Sequence, residues 1–316
     1  MRAFARVLLL MLLVVPAVQA AGADEAVPIT FKFSQGDTIH YDVSASGAGT
    51  MSVPGVEVTA VGFQASCGVS QTVAQANEDG SAVLEMLVPR AEITVTIGGK
   101  QGRISYADGK VRWFTDGKEQ TPPQVDLSKA PLLQLPIRLT TRPDGSVTEI
   151  GFANTEFLDM LAKAVPGLPS GVLGQSLPMP NSSPVLPTAP VKVGEAWTRT
   201  EKVPLGPNQY LDCEMRRTLE SLTKQGGLEI AKIVGSGGMR FRGDSKISAP
   251  GGQPLDISIS DLRHTLGSTE FFNLTTGRLI RGDYEMRFST KVSAAMAGAA
   301  QAGSVNLRIL ASVVGR

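Results

Sequence analysis

The sequence predicts a mainly β protein made of two related antiparallel sheets or half-barrels, with one short helix near their junction. Three observations predict it. Apolar and polar residues alternate with a period of two along many short runs, as in residues 29–34 and 255–262. The 34 Gly and 20 Pro residues suit frequent turns between strands. A chain of 316 residues is long for a single core, so two domains are expected.

The first 23 residues are expected to be a cleaved signal peptide. Arg2 and Arg6 give a positive start, residues 7–15 form a short apolar run, and small residues allow cleavage near Ala20 or Ala23. Removing residues 1–23 changes the formal net charge from +1 to −1, because no acid is lost. A nearly neutral chain without a basic block has no electrostatic footprint for nucleic acid. We therefore expect a secreted or periplasmic protein that has no transmembrane segment after cleavage and binds no nucleic acid.

The remaining chain divides into a first β-rich repeat (24–152), a helix with a proline-rich connector (153–186) and a second β-rich repeat (187–316). Tight-turn chemistry predicts hairpins in the first repeat at Asn77–Gly80, Asp108–Gly109, Asp116–Gly117 and Asp144–Gly145. The expected strands of this repeat cover residues 27–60, 56–73, 82–89, 91–97, 104–106, 111–114, 132–139 and 147–152.

The helix is expected at residues 154–165. Asn154 can cap it, and apolar residues fall on one stripe at helical spacing before Pro166 and Gly167 end it. Seven prolines between positions 166 and 190 then predict an extended connector.

The second repeat carries the same style of sequence. Its expected strands cover residues 196–203, 210–222, 228–234, 239–247, 255–262, 270–274, 279–289 and 305–314. Residues 294–302 are small and weakly patterned, which indicates a mobile loop or a short helix.

Matching markers indicate an internal duplication. Gly36-Asp37 corresponds to Gly194-Glu195, and Cys67 corresponds to Cys213; a Gly follows each cysteine after thirteen positions, at Gly80 and Gly226. Because Gly-containing turns are common in β proteins, chance similarity is the alternative.

Cys67 and Cys213 are candidates for a disulfide, since an exported chain meets an oxidising compartment and the two residues occupy matching repeat positions. The alternative is that both are buried thiols acting as small apolar side chains.

Trp113 and Trp197 are candidate pocket or interface aromatics, with burial in the core as the alternative. The chain has only two histidines, His40 and His264, and neither has metal-ligand partners at suitable spacing. It contains no Gly-x-Ser-x-Gly, Walker, His-Glu-x-x-His or Cys-x-x-Cys motif. We therefore expect no catalytic residues, no metal site and no cofactor.

The stretch Pro187-x-x-Pro190-Val191-x-Val193-Gly194-Glu195-x-Trp197 resembles an element of secreted bacterial β-rich proteins of unknown function, in which Pro-x-x-Pro-Val-x-Val-Gly-Asp/Glu-x-Trp opens the second half. The resemblance covers about a dozen residues and implies an exported, duplicated, all-β protein without supplying an activity. The layout is also similar to half-barrel lipoprotein carriers, in which a curved sheet holds an acyl chain.

Together these features favour an exported non-catalytic binding protein that holds an apolar or lipid-like ligand in the concavity of a sheet. A structural or protein-interaction module of the cell envelope, docking an envelope protein through strand edges, is the first alternative. An enzyme with an unrecognised site is the second.

Overall fold

The computed structural model describes residues 25–52, 58–108, 110–120, 137–152, 185–206, 209–242, 256–296 and 299–316. These residues form one antiparallel sheet, which confirms the mainly β prediction. Its fourteen strands are β1 (Thr38–Ser52), β2 (Thr59–Ala76), β3 (Ala82–Ile97), β4 (Lys100–Ala107), β5 (Lys110–Thr115), β6 (Lys118–Gln120), β7 (Ile137–Thr141), β8 (Val147–Phe152), β9 (Ala196–Gly206), β10 (Gln209–Gln225), β11 (Leu228–Arg242), β12 (Asp256–Asn273), β13 (Arg278–Met296) and β14 (Ala299–Gly315).

The two halves of the chain are joined into one sheet, and not into the two separate sheets that the sequence predicts. The strand order is β6-β5-β4-β3-β2-β1-β14-β13-β12-β11-β10-β9. β1 and β14 pair from Tyr41 with Gly315 to Ser52 with Ser304. The alternation along each strand indicated which face is buried, but it did not indicate this pairing, because partners far apart in sequence leave no local signal.

β3 has two different neighbours on its outer side. Its first part, from Ala82 to Met86, pairs with β7, and its second part, from Arg90 to Ile97, pairs with β4. Pro89 lies between these two parts, where a missing N–H costs no ladder bond to either neighbour. The β7–β8 hairpin therefore packs beside the β4–β6 strands on a single edge.

The predicted turns mostly form as expected. Hairpins connect β2 to β3 at Asn77–Gly80, β5 to β6 at Asp116–Gly117 and β7 to β8 at Asp144–Gly145. Asp116 has a φ of 48°, which Asp tolerates better than most residues do. The loop or helix expected at residues 294–302 is wrong, because β13 and β14 continue pairing as far as Met296 with Ala299. The expected helix at 154–165 lies outside the described residues.

The two Gly-acid turns have the same backbone hydrogen bonds. Gly36 N–H donates to Val73 O (2.8 Å), and Val73 N–H donates to Asp37 O (2.9 Å). In the second half, Gly194 N–H donates to Leu219 O (2.7 Å), and Leu219 N–H donates to Glu195 O (3.1 Å). The φ values of Gly36 and Gly194 are 86° and 88°, a region that favours glycine.

Two extended segments cover one end of the sheet and form its core. The N-terminal segment (residues 25–34) and the connector segment (residues 185–195) pair through Val27 and Val191. In the N-terminal segment, more buried and more exposed residues alternate as the sequence predicts. Residues 28–34 are nevertheless not a strand of the sheet, because their backbone hydrogen bonds are made with turns. For example, Phe31 N–H donates to Pro143 O. The fully buried members of the main core are Ile29, Leu186, Leu219, Ala231, Ile233 and Phe272.

A smaller core cluster lies at the same end, where β2 turns into β3. It contains Val73, Ala82, Leu84 and Leu139, with Phe33 of the N-terminal segment packed against it. Both clusters lie on one face of the sheet, so the N-terminal segment links the two halves of the molecule by apolar contact. Among the described residues, no helix is long and apolar enough to cross a bilayer.

We predict that Gly36→Ala and Gly194→Ala each lower the free energy of unfolding by about 1–2 kcal/mol, because a Cβ is strained at these positive φ angles. Urea denaturation followed by circular dichroism measures the loss. Gly102→Ala on β4 is the control, because its φ is not positive and an added Cβ meets no atom within 4 Å. Equal stability of Gly36→Ala and Gly102→Ala would contradict the prediction.

Candidate binding site

The two faces of the sheet differ in character. The apolar face carries Ile93, Val95 and Ile97 on β3, whereas the polar face carries Glu92 and Thr94 between them. Directly paired residues of antiparallel strands point to the same face, so the register extends this assignment from strand to strand. The main core belongs to the apolar face. Its residues Ile233 and Leu219 lie in the transverse row that the register continues to Cys67, which is on the apolar face of β2.

One transverse row of the apolar face crosses the sheet between the two tryptophans. We call it the central row; in order from β5 to β9 it contains Trp113, Ile104, Ile93, Ala65, Ala45, Ala311, Tyr284, Ser268, Gly235, Arg217 and Trp197. Its middle is made of three alanines. Its second half, from Tyr284 onward, carries polar side chains.

Ala65, Ala45 and Ala311 place three short side chains in a line across the apolar face, and we call this line the transverse groove. Ala65, Ala45 and Ala311 are flanked on the core side by the row that contains Val43 and Val313. On the other side the next row contains Phe63, whose ring lies over Gly47: a Cβ on Gly47 would be 2.2 Å from Phe63 Cε1. Short side chains between longer ones leave a shallow channel that runs across the strands.

Apolar side chains at one end of this groove are open to solvent. Ile93, Val95 and Ile97 are 44%, 40% and 49% exposed. Single exposed apolar residues are ordinary, but three on one face beside an apolar groove form a patch. This part of the apolar face lies beyond the two segments that cover the core.

A cavity of about 860 Å³ is lined mainly by residues of the opposite face. Its walls are mainly polar-face residues of seven neighbouring strands, such as Glu92, Gln64, Ser44 and Asp283. Ala45, Ala65 and Ala311, together with Ser268 and Tyr284, also line this cavity. The cavity therefore adjoins short side chains of the apolar face as well as the polar face.

The charges of the polar face are neutralised locally. Glu285 receives hydrogen bonds from Arg308 Nε and Arg287 Nε, both at 2.9 Å. The two guanidinium groups hold the pKa of Glu285 below its usual value. Ser312 Oγ donates to Asp283 at 2.9 Å.

A buried polar cluster lies where the central row meets the core. Glu270 is fully buried and Arg217 is 7% exposed, with Arg217 Nε 3.4 Å from Glu270 Oε2. Ser268 and Tyr284 lie beside this pair. Among the described residues, neither Glu270 oxygen, Ser268 Oγ nor the Tyr284 hydroxyl has a hydrogen bond of good geometry. We call these four residues the polar cluster.

Glycines make room for the polar cluster. A Cβ on Gly235 would lie 2.3 Å from Ser268 Oγ, and a Cβ on Gly282 would lie 2.5 Å from the Tyr284 hydroxyl oxygen. Both distances are shorter than any normal contact, so an alanine at either position would displace a member of the cluster.

Burial dominates the electrostatics of the polar cluster. It raises the pKa of Glu270, and the Arg217 guanidinium opposes that rise. Burial also raises the pKa of Tyr284, and the neighbouring Glu270 carboxylate adds to the effect, so the phenol stays protonated and can donate. His264, in the same strand as Ser268, is buried, and burial lowers its pKa.

The two sequence-predicted aromatics occupy opposite ends of the central row. Trp197 packs against the main core and donates from Nε1 to Val185 O at 3.0 Å. Trp113 is half-buried on β5. The structure therefore aligns the two tryptophans on one face without bringing them together.

Cys67 and Cys213 do not form the predicted disulfide. Cys67 lies on β2 and Cys213 on β10, with five strands between them. Matching positions in the two halves are far apart because the halves extend in opposite directions from the β1–β14 pair. Among the described residues, no group of three His, Cys, Asp or Glu side chains is arranged to hold a metal ion.

Sequence reasoning missed the polar cluster. Arg217 lies in β10, whereas Ser268 and Glu270 lie in β12, so no local sequence motif links them. The sequence did contain one signal. Glu270 is an acid two residues before the buried Phe272, so in a strand it is expected on the same, buried face.

No protein-family model and no curated protein matches the chain. Among solved structures, a lipovitellin structure concerned with lipid–protein interactions has a TM-score of 0.45 and 10% identity, covering 90% of this chain and 25% of that one. This chain therefore spans a quarter of the lipovitellin chain. An outer membrane channel from Pseudomonas putida F1 has a TM-score of 0.23 and 8% identity, covering 94% and 100% of the two chains. Pseudomonas aeruginosa OpdQ has a TM-score of 0.22 and 7% identity, covering 88% and 99%. These scores are too low to assign a family or an activity.

We predict that Arg217→Met lowers the free energy of unfolding by about 3–5 kcal/mol at pH 8, because it leaves the buried Glu270 carboxylate without its partner. The loss should shrink as the pH falls toward 5. Without Arg217 the pKa of Glu270 rises further, so the folded protein takes up a proton that the unfolded chain lacks, and lower pH stabilises the fold. Urea denaturation at both pH values measures this.

Arg138→Met is the matched control, since Arg138 is 61% exposed and donates to Glu85 at 2.7 Å. An exposed pair contributes about 0–1 kcal/mol, so this variant should stay close to the parent protein at both pH values. Equal losses in the two variants would argue against a buried ion pair.

Proposed function

We propose that the protein is an exported, non-catalytic binding protein that holds an apolar, lipid-like ligand against the apolar face of its sheet. The observation that carries the proposal is the transverse groove of Ala65, Ala45 and Ala311, which opens at one end onto the exposed Ile93, Val95 and Ile97. Covering these three side chains would contribute on the order of 1 kcal/mol each.

The dimensions of the groove suit a single acyl chain. Four strand spacings of about 4.8 Å separate Ile93 from Tyr284, about 19 Å in all. The hydrocarbon core of a bilayer contains two layers of acyl chains, so one acyl chain is roughly 15 Å long. A groove one residue wide between longer side chains has the cross-section for one chain and not for a protein helix, whose diameter is about 10 Å.

Export and duplication belong to the same proposal. The signal peptide (1–23) and the boundaries at 24–152, 153–186 and 187–316 are proposed on sequence. The equal hydrogen bonds at Gly36 and Gly194 support two related halves. In each half, the N–H of the turn glycine donates to the carbonyl oxygen of a buried strand residue, which is Val73 in the first half and Leu219 in the second.

Docking of an envelope protein is the second candidate function, and strand order favours it. β6 and β9 are the ends of the described sheet path. Edge strands can pair with a strand of another chain, and side chains beside the edge then set the choice of partner. This function predicts binding that depends on β9 and not on the groove.

We predict that the apolar dye N-phenyl-1-naphthylamine binds the full chain, with a gain in fluorescence, and that Ile93→Ser weakens binding about three- to tenfold. Leu310→Ser is the matched control: Leu310 is also 44% exposed but belongs to the polar face of β14, next to Ala311. It should leave the dye affinity unchanged.

Two outcomes would count against this function. Absence of dye binding would reject the apolar surface as a site. A larger effect of Leu310→Ser than of Ile93→Ser would move the ligand to the cavity on the polar face.

A further inference from the structure

We propose that the polar cluster binds the uncharged hydroxyl head of a single-chain amphiphile whose chain lies in the transverse groove. This inference rests on the proposed function and adds the chemistry of the head. Its basis is position: Tyr284 and Ser268 follow Ala311 in the central row, so the groove leads directly to the cluster.

Burial and unmade hydrogen bonds indicate a ligand at the cluster. Glu270 is fully buried, and Arg217 and Ser268 are each 7% exposed. Burying a polar group without a good partner costs about 1–3 kcal/mol. Ser268 and Tyr284 lie close enough to Glu270 to affect its pKa, but among the described residues neither their hydroxyls nor the Glu270 oxygens make a hydrogen bond of good geometry. Tyr284, which is only half-buried, is the member nearest the groove.

The charges select an uncharged head. Arg217 and Glu270 form one ion pair, so the cluster has no net charge. A charged head would add a buried charge without a counter-charge, which is strongly unfavourable. A hydroxyl group adds none.

The hydrogen-bonding groups select a head that both donates and accepts. The Glu270 oxygens only accept when the carboxyl is ionised, whereas the Ser268 and Tyr284 hydroxyls can donate. An alcohol donates one hydrogen bond to Glu270, and its two lone pairs accept from Ser268 and from Tyr284. A hydrocarbon makes neither bond, and a carboxylate cannot donate.

The test compares probes of equal chain length in competition with N-phenyl-1-naphthylamine on the full chain at pH 8. The probes are 1-dodecanol and laurate, the twelve-carbon carboxylate. We expect 1-dodecanol to compete at a concentration about tenfold lower than laurate. With each variant's own dye affinity taken into account, Ser268→Ala and Tyr284→Phe should each weaken 1-dodecanol about three- to tenfold, the worth of one uncharged hydrogen bond.

Thr269→Ala is the matched control, because Thr269 is next to Ser268 in β12 and its side chain belongs to the polar face. It should change neither competitor. Circular dichroism of each variant verifies that the sheet is intact; Tyr284→Phe keeps the ring, so it tests the hydroxyl if Ser268→Ala alters folding.

The outcomes separate this inference from the proposed function. Laurate competing as well as 1-dodecanol, or an unchanged 1-dodecanol affinity in both variants, overturns the head-group assignment while dye binding upholds the apolar site. Absence of dye binding to the parent protein overturns both.

Discussion

The pairing of β1 with β14 is the constraint on which the rest of the structure depends. It joins the first and last strands of the chain in the middle of the sheet, from Tyr41 with Gly315 to Ser52 with Ser304. Because the ladder keeps paired residues on one face, Ala45 and Ala311 connect the rows of the two halves. A register slip of one residue here would turn one half over, and the groove, the core and the polar cluster would no longer share a face.

The same face serves three purposes along the strands. At the end covered by the N-terminal and connector segments it is a core, with Ile29 and Phe272 fully buried. Next to this core it carries the ion pair of Arg217 and Glu270, and on the β3 side of the central row it carries the exposed Ile93. A single layer of sheet can bury its apolar side only where something covers it, so the face changes from core to surface where the two segments end.

Much of the fold follows from local sequence. Turns at Asp116-Gly117 and Asp144-Gly145 were predictable because Gly reaches positive φ and Asp tolerates it. Residues 294–296 and 299–302 were predicted wrongly, because small residues lack the alternation that marks a strand, and only pairing with the facing strand makes them extended. The predicted bond between Cys67 and Cys213 assumed that matching positions meet, whereas the halves extend away from each other.

By itself the sequence determined the strands, the turns and which side of each strand is apolar, because these follow from alternation and from the conformations that glycine allows. Only the tertiary structure decided that there is one sheet and that Arg217, Ser268, Glu270 and Tyr284 lie together. The reason is that strand order and register join residues far apart in the chain, and such pairings leave no local signal in the sequence.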